Sequence, residues 1–272
     1  MSNQAFTEFE HRGWQRVADK YDSTWASSTR QFIAPLLDAA GVSDQMSILD
    51  VGCGPGYVSA AATERGATAA GLDFSSVMIA IARKKLPRIN FHEGDAQNLP
   101  FDNETFDRVV ANFALLHLAE PERAFAEAFR VLKHGGKFGF TTWARKEENA
   151  FLRLVDDAIQ ACANFNVDLP PGPPYYLFET PEEFCSALSR AGFDGTSMKF
   201  KLYTIEWQVP TADFVFEAER NAGVRIAGLL ARQTPEALNA IKARIENAVR
   251  FYAKANGFAI PKSAYIVAVT KS

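Results

Sequence analysis

No stretch of this sequence is long and apolar enough to cross a bilayer. The longest mainly apolar run, 109–119, is interrupted by Asn112 and His117 and falls short of the roughly 20 residues a spanning helix needs. A basic segment is missing as well: Lys and Arg are dispersed and the formal charge is −3, so no nucleic-acid partner is expected. Residues 1–15 are polar and mixed in charge, without the basic start and apolar core of a signal peptide, which points to a cytoplasmic protein. Cysteine is scarce. Cys53, Cys162 and Cys185 are widely spaced and form no C-x-x-C pair, so neither a disulfide framework nor a structural metal is expected. Internal repeats and low-complexity tracts are absent too. What the chain has in ordinary measure is core material, 47% apolar residues against 22% charged over 272 residues, enough for an independently folding globular protein.

From 47 to 143 short β-branched or aromatic runs alternate with helical patterns, the signature of consecutive βαβ units and a parallel sheet. Strands are predicted at 47–51, 67–72, 89–93, 106–112 and 137–143. The first helix ends at Gly66, a natural left-handed cap, and Ser75 can cap the second. Pro121 suits a first helical position, and Gly135 and Gly136 are expected to end the helix it opens. After Trp143 the rhythm fails: 146–179 is rich in aromatics and holds Pro170, Pro171, Pro173 and Pro174, so it reads as a substrate-facing insertion without a long helix. Thr180-Pro181-Glu182-Glu183 is a capping box for a further core helix, with a strand at 198–209 to follow. Helical stretches at 211–232 and 234–255 make 210–257 a second insertion, before a last core strand at 264–270. Residues 1–46, amphipathic and broken around 23–28, should form a helical cap.

The chemistry concentrates in 48–59, ILDVGCGPGYVS. An apolar strand ends in a carboxylate, Asp50, and runs into Gly52, Gly54 and Gly56. Glycine lets the backbone turn sharply and lets a ligand approach where a side chain would block it, and ligands of open α/β sheets lie outside the carboxyl ends of the strands. An NAD-dependent oxidoreductase is the competing reading. Its G-x-G-x-x-G fingerprint is not met, because Tyr57 stands where the third glycine belongs. Asp73, at the end of the second strand, lies 23 residues beyond Asp50, the separation expected of a ribose-binding acid. Asp95 and Ala96 follow the third strand, where a carboxylate can accept from an exocyclic amine while a backbone N–H serves a ring nitrogen.

These residues resemble the class I S-adenosylmethionine-dependent methyltransferases, in particular the branch that includes the ubiquinone and menaquinone C-methyltransferases. The resemblance runs from Trp14 to Trp143: VADKYD at 17–22, LDVGCGPG at 49–56, GLDFS at 71–75, EGDAQNLPF at 93–101, FDRVVANFALLHL at 106–118 and EAFRVLKHGGKF at 127–138. It implies a Rossmann-like α/β fold, a seven-stranded, mostly parallel sheet with an antiparallel last strand, flanked by helices and extended by helical lid insertions. It also implies S-adenosylmethionine as cofactor, with S-adenosylhomocysteine as product. Gly52, Gly54 and Gly56 would lie along the methionine part, Asp73 would hold the ribose, and Asp95 and Ala96 would read adenine, with Phe74 and Met78 flanking its ring. Asn112 and Phe113 would line the cofactor, and Tyr21 would close over its carboxylate from the N-terminal cap.

Methyl transfer from a sulfonium asks the protein chiefly for alignment. Where the acceptor must lose a proton, His117 is the candidate base, since it follows the fourth strand and imidazole titrates near neutrality. Trp143, Phe151, Phe165, Tyr175, Tyr176 and Phe178 read either as an apolar slot for a flat acceptor or as the core of the insertion. The two insertions are expected to fold as a lid that encloses a small-molecule methyl acceptor. A non-catalytic cofactor-binding protein, or a non-methylating enzyme on the same fold, would share every one of these motifs.

Overall fold

The computed structural model describes residues 2–272. Eight strands form one mixed sheet: β1 (Ser47–Val51), β2 (Thr68–Asp73), β3 (Asn90–Glu93), β4 (Phe106–Asn112), β5 (Leu132–Trp143), β6 (Asp194–Val209), β7 (Ala253–Lys254) and β8 (Gly257–Thr270). Their order is β3-β2-β1-β4-β5-β8-β6, with the two-residue β7 off this path and antiparallel to β8. β1 to β5 are parallel. The seven strands on the path meet the expected number, and β7 is the added one.

β1 is buried from Ile48 to Val51, as a strand flanked on both edges in a helix-covered parallel sheet must be. It pairs with β2 through Asp50↔Gly71 and with β4 through Asp50↔Val110. The chain runs outward from β1 to β3 and then returns to β4. That reversal puts the switch point of the sheet beside the end of β1, where open α/β sheets open a crevice.

The chain divides into two compact units. The first comprises Met1–Ser28, Ala144–Pro171 and Thr204–Ala264; the second comprises Thr29–Trp143, Gly172–Tyr203 and Tyr265–Ser272. The second unit carries β1 to β5 and the helices between them. Its caps follow the sequence: Ser75 Oγ accepts from Met78 N, Gly66 is left-handed at φ 85°, and Thr180 and Glu183 close a reciprocal capping box.

The first unit is largely helical. A 13-residue helix, Ala150–Cys162, occupies a segment expected to be irregular. Asn149 caps it, accepting from Leu152 N, and Phe151, Leu154, Val155, Ala158 and Ile159 bury one face, packed against Pro235–Arg250. The prolines that argued against a helix all lie beyond its end. Two further expectations are corrected. The helix from Pro121 ends at Val131, and Gly135 and Gly136 lie inside β5, where Gly135 N–H donates to Lys271 O. The stretch 211–232 is two short helices, Phe214–Ala222 and Arg225–Leu230, broken at Gly223.

At the centre of the first unit Lys262 is fully buried, with Nζ 4.6 Å from the Trp25 ring centroid, 4.2 Å from Phe151 and 4.6 Å from Trp207. Nζ also donates to Ser28 Oγ at 3.3 Å. Glu219 is buried as well. Burial drives each toward its neutral form, the Lys262 ammonium down to about 7 and the Glu219 carboxyl up to about 7, while their mutual attraction opposes this. Among the described residues no helix is long and apolar enough to cross a membrane.

Candidate active site

The glycine loop is tied down at the end of β2. Gly52 N–H and Cys53 N–H both donate to Leu72 O, at 2.7 and 3.0 Å. Asp73 Oδ2 accepts from Gly54 N–H at 2.8 Å, and its Oδ1 accepts from Ser75 N–H, also at 2.8 Å. One carboxylate therefore fixes both the loop and the start of the next helix. Gly52 and Gly54 have φ of 66° and 49°. A methyl group at Gly52 would overlap that of Ala114, whereas one at Gly54 would meet nothing within 4 Å. The first glycine thus admits close packing of the β4 turn, and the second leaves an open cradle.

Asp50 sits beneath this loop, fully buried. Its Oδ2 accepts twice from Ser59, from N–H at 3.0 Å and from Oγ at 2.7 Å. Its Oδ1 is buried without a hydrogen-bond partner among the described residues. Burial, opposed by the two Ser59 bonds and reinforced by the charge of Asp73, raises the Asp50 carboxyl to about 7. The Cys53 thiol is pushed up by burial and by both carboxylates, and stays a neutral thiol.

Beyond β3, Asp95 Oδ1 accepts from Gln97 N–H at 2.8 Å and from Gln97 Nε2 at 3.1 Å. Gln97 Oε1 in turn accepts from Glu120 N–H at 2.9 Å. Ala96 and Met78 are buried, while Phe74 is half-buried. At the end of β4, Asn112 Nδ2 donates to Thr29 O at 3.2 Å and Asn112 Oδ1 accepts from Thr141 Oγ1 at 2.6 Å. Phe113 adopts φ 56°, a left-handed backbone unusual for an aromatic residue, and its ring stacks on Trp143 at 3.9 Å. Phe32 stands edge-on to both rings, at 5.1 and 6.0 Å.

Residues 49–140 match the methyltransferase domain family. The chain is 38% identical over 167 residues to the demethylmenaquinone methyltransferase of Renibacterium salmoninarum, an alignment covering 58% of this chain and 70% of that protein. The chain belongs to the class I S-adenosylmethionine-dependent methyltransferases. A second demethylmenaquinone methyltransferase, from Paenarthrobacter aurescens, is 34% identical over 172 residues, 60% of this chain and 68% of that protein. Among solved structures, the Haemonchus contortus phosphoethanolamine N-methyltransferase 2, in complex with S-adenosylhomocysteine, shares the fold at a TM-score of 0.56 and 20% identity, covering 98% of this chain and 60% of that one. The protein is accordingly an enzyme that methylates a small molecule.

Within this methyltransferase the second unit gathers most of the sequence-predicted residues: the three loop glycines, Asp50, Asp73, Phe74, Met78, Asp95, Ala96, Asn112, Phe113, His117, Trp143, Tyr175, Tyr176 and Phe178. His117 is half-buried at the end of a short turn after β4, with its N–H on Ala114 O at 3.0 Å. Tyr175 and Tyr176 are half-buried, and Tyr175 O accepts from Thr142 Oγ1 at 3.1 Å. Phe178 packs on Phe125 and Phe184. Tyr21 belongs to the first unit, where its ring meets Trp14 edge-on at 6.2 Å. Phe151, also in that unit, is buried in the core, and Phe165 is 51% exposed. Sequence reasoning missed Ser59, Gln97 and Thr141. Gln97 alone had a local signal, two residues after an aspartate able to accept from its backbone.

Proposed function

We propose that the loop at Gly52, Gly54 and Gly56 holds S-adenosylmethionine and that the enzyme methylates a flat, apolar small molecule. The observation that carries this is Asp50, a sealed carboxylate with one oxygen that has no partner among the described residues, beside an open glycine cradle. Such a group favours a cationic ligand, whose charge offsets the desolvation that otherwise holds the acid protonated. A dinucleotide would bring an anionic pyrophosphate to the same loop. S-adenosylmethionine, when bound, supplies an activated methyl group on a positively charged sulfur.

The chain's own residues would then divide the work. Gly54 leaves room along the methionine part. Asp73, already anchoring the loop, would hold the ribose. Asp95 and Ala96 would read adenine, with Phe74 and Met78 beside its ring, and Asn112 and Phe113 would line the methyl-bearing end. The Phe113–Trp143 stack offers a planar apolar face, with Tyr175 and Tyr176 as further acceptor contacts. For an acceptor that must lose a proton, His117 would take it.

Calorimetry on the purified chain tests the cofactor: S-adenosylhomocysteine should bind and NAD should not, and a preference for NAD would overturn the reading. The same protein can be given demethylmenaquinone, the acceptor in the names of both relatives, with methyl-labelled S-adenosylmethionine. His117→Gln should lower the methyl-transfer rate at least tenfold while leaving S-adenosylhomocysteine affinity unchanged, whereas an unaltered rate removes His117 as the base.

A further inference from the structure

We propose that Thr141 is a positioning residue for this reaction, its buried hydroxyl holding the 112–114 turn in the left-handed backbone that sets Phe113 on Trp143 and Ala114 against Gly52. The hydroxyl has no exposure to solvent. It accepts from Phe113 N–H at 2.9 Å and donates to Asn112 Oδ1 at 2.6 Å, so its one proton and an acceptor site are both in use. Phe113 N–H also reaches Thr141 O at 3.3 Å. Asn112↔Thr141 is the last pair of the β4–β5 register; beyond it one long backbone bond from Phe113 N–H remains, and the shorter side-chain bonds reinforce it.

What they hold is unfavourable in isolation. A non-glycine residue at positive φ crowds its own Cβ and persists only when its surroundings over-determine it. Phe113, at φ 56°, is buried and locked by the Thr141 bonds on one side and by the rings of Phe32 and Trp143 on the other. The next residue, Ala114, fills the space that the missing Gly52 side chain vacates. A small loss of order at Thr141 is therefore felt at the cofactor loop and at the aromatic face together. Thr142, the adjacent residue on β5, points to the other face and donates to Tyr175 O.

This inference rests on the proposed cofactor site and is tested with Thr141→Val, which keeps the shape and removes the hydroxyl, and Thr141→Ser, which keeps the hydroxyl. For Thr141→Val, amide exchange over 112–116 should speed up at least tenfold and S-adenosylhomocysteine should bind at least tenfold more weakly by calorimetry. Thr141→Ser should stay within threefold of wild type in both. A packing role alone would make serine no better than valine, and that result overturns the proposal, as does wild-type behaviour of Thr141→Val in either measurement. Wild-type protein that fails to bind S-adenosylhomocysteine would instead bring down the cofactor reading itself. Should Thr141→Val not fold, the exchange measurement on Thr141→Ser and Asn112→Ala decides: threefold or less for the first and tenfold for the second, with equal rates overturning the proposal.

Discussion

Asp50 behaves oppositely to an ordinary surface carboxylate. Most acids are stabilised in the folded state, so folding is favoured as pH rises; here burial raises the folded value from 3.8 to about 7. The folded chain thus retains a proton at Asp50 that the unfolded chain gives up. This group's contribution is fully present below the unfolded value and is lost as pH climbs from about 4 to about 7. A three-unit shift corresponds to about 4 kcal/mol at most. Asp50→Asn keeps the shape without the charge, so between pH 4.5 and pH 8 it should gain about 3 kcal/mol of stability relative to wild type. Denaturant unfolding of both proteins at the two pH values measures this, and a constant difference would show that Asp50 does not titrate in this range. The same substitution should weaken S-adenosylhomocysteine binding, because the oxygen left open by Ser59 is then no longer anionic.

At the scale of the element, the glycine loop separates a folding role from a binding role. Alanine at Gly52 would combine a left-handed backbone with overlap on Ala114, for an expected loss of about 2–5 kcal/mol. At Gly54 the space is open and only the backbone term remains, about 1–2 kcal/mol. Gly54→Ala should therefore lose less stability than Gly52→Ala yet bind S-adenosylhomocysteine much more weakly, since its methyl group enters the cradle. Equal effects of the two variants on stability would refute the distinction.

The elements that build this loop were the most legible part of the sequence. β1 and β4 fall where the apolar runs put them, and the caps at Ser75 and Thr180 use their predicted partners. What escaped the sequence is non-local or was masked. Thr141 meets Phe113 across 28 residues, and nothing in NFA announces a left-handed backbone at the phenylalanine. The helix Ala150–Cys162 carries a clear apolar face, but the aromatics and prolines downstream gave the whole segment an irregular look. Gly135-Gly136 imitates a helix stop because glycine serves irregular strand starts equally well.

Across the whole chain, the sequence splits its labour between two units assembled from interleaved segments. The second holds most of the residues proposed for the cofactor, and the first buries the amine of Lys262 and the carboxyl of Glu219. Removing one member of a buried pair leaves the other uncompensated, which costs about 3–5 kcal/mol, whereas removing both can be nearly neutral. Lys262→Met and Glu219→Gln should each lower stability by that amount, and the double variant should recover at least half of the summed loss. Strict additivity in a denaturant cycle would mean that the two do not interact.

The three rings around Lys262 also make it chemically silent. An amine with no exposed surface meets an acylating reagent only when the helical unit opens, so the pace at which this one lysine takes up label is a clock for that opening. Trp25 and Trp207, stacked at 5.5 Å around the same amine, would register each event as a change in indole emission.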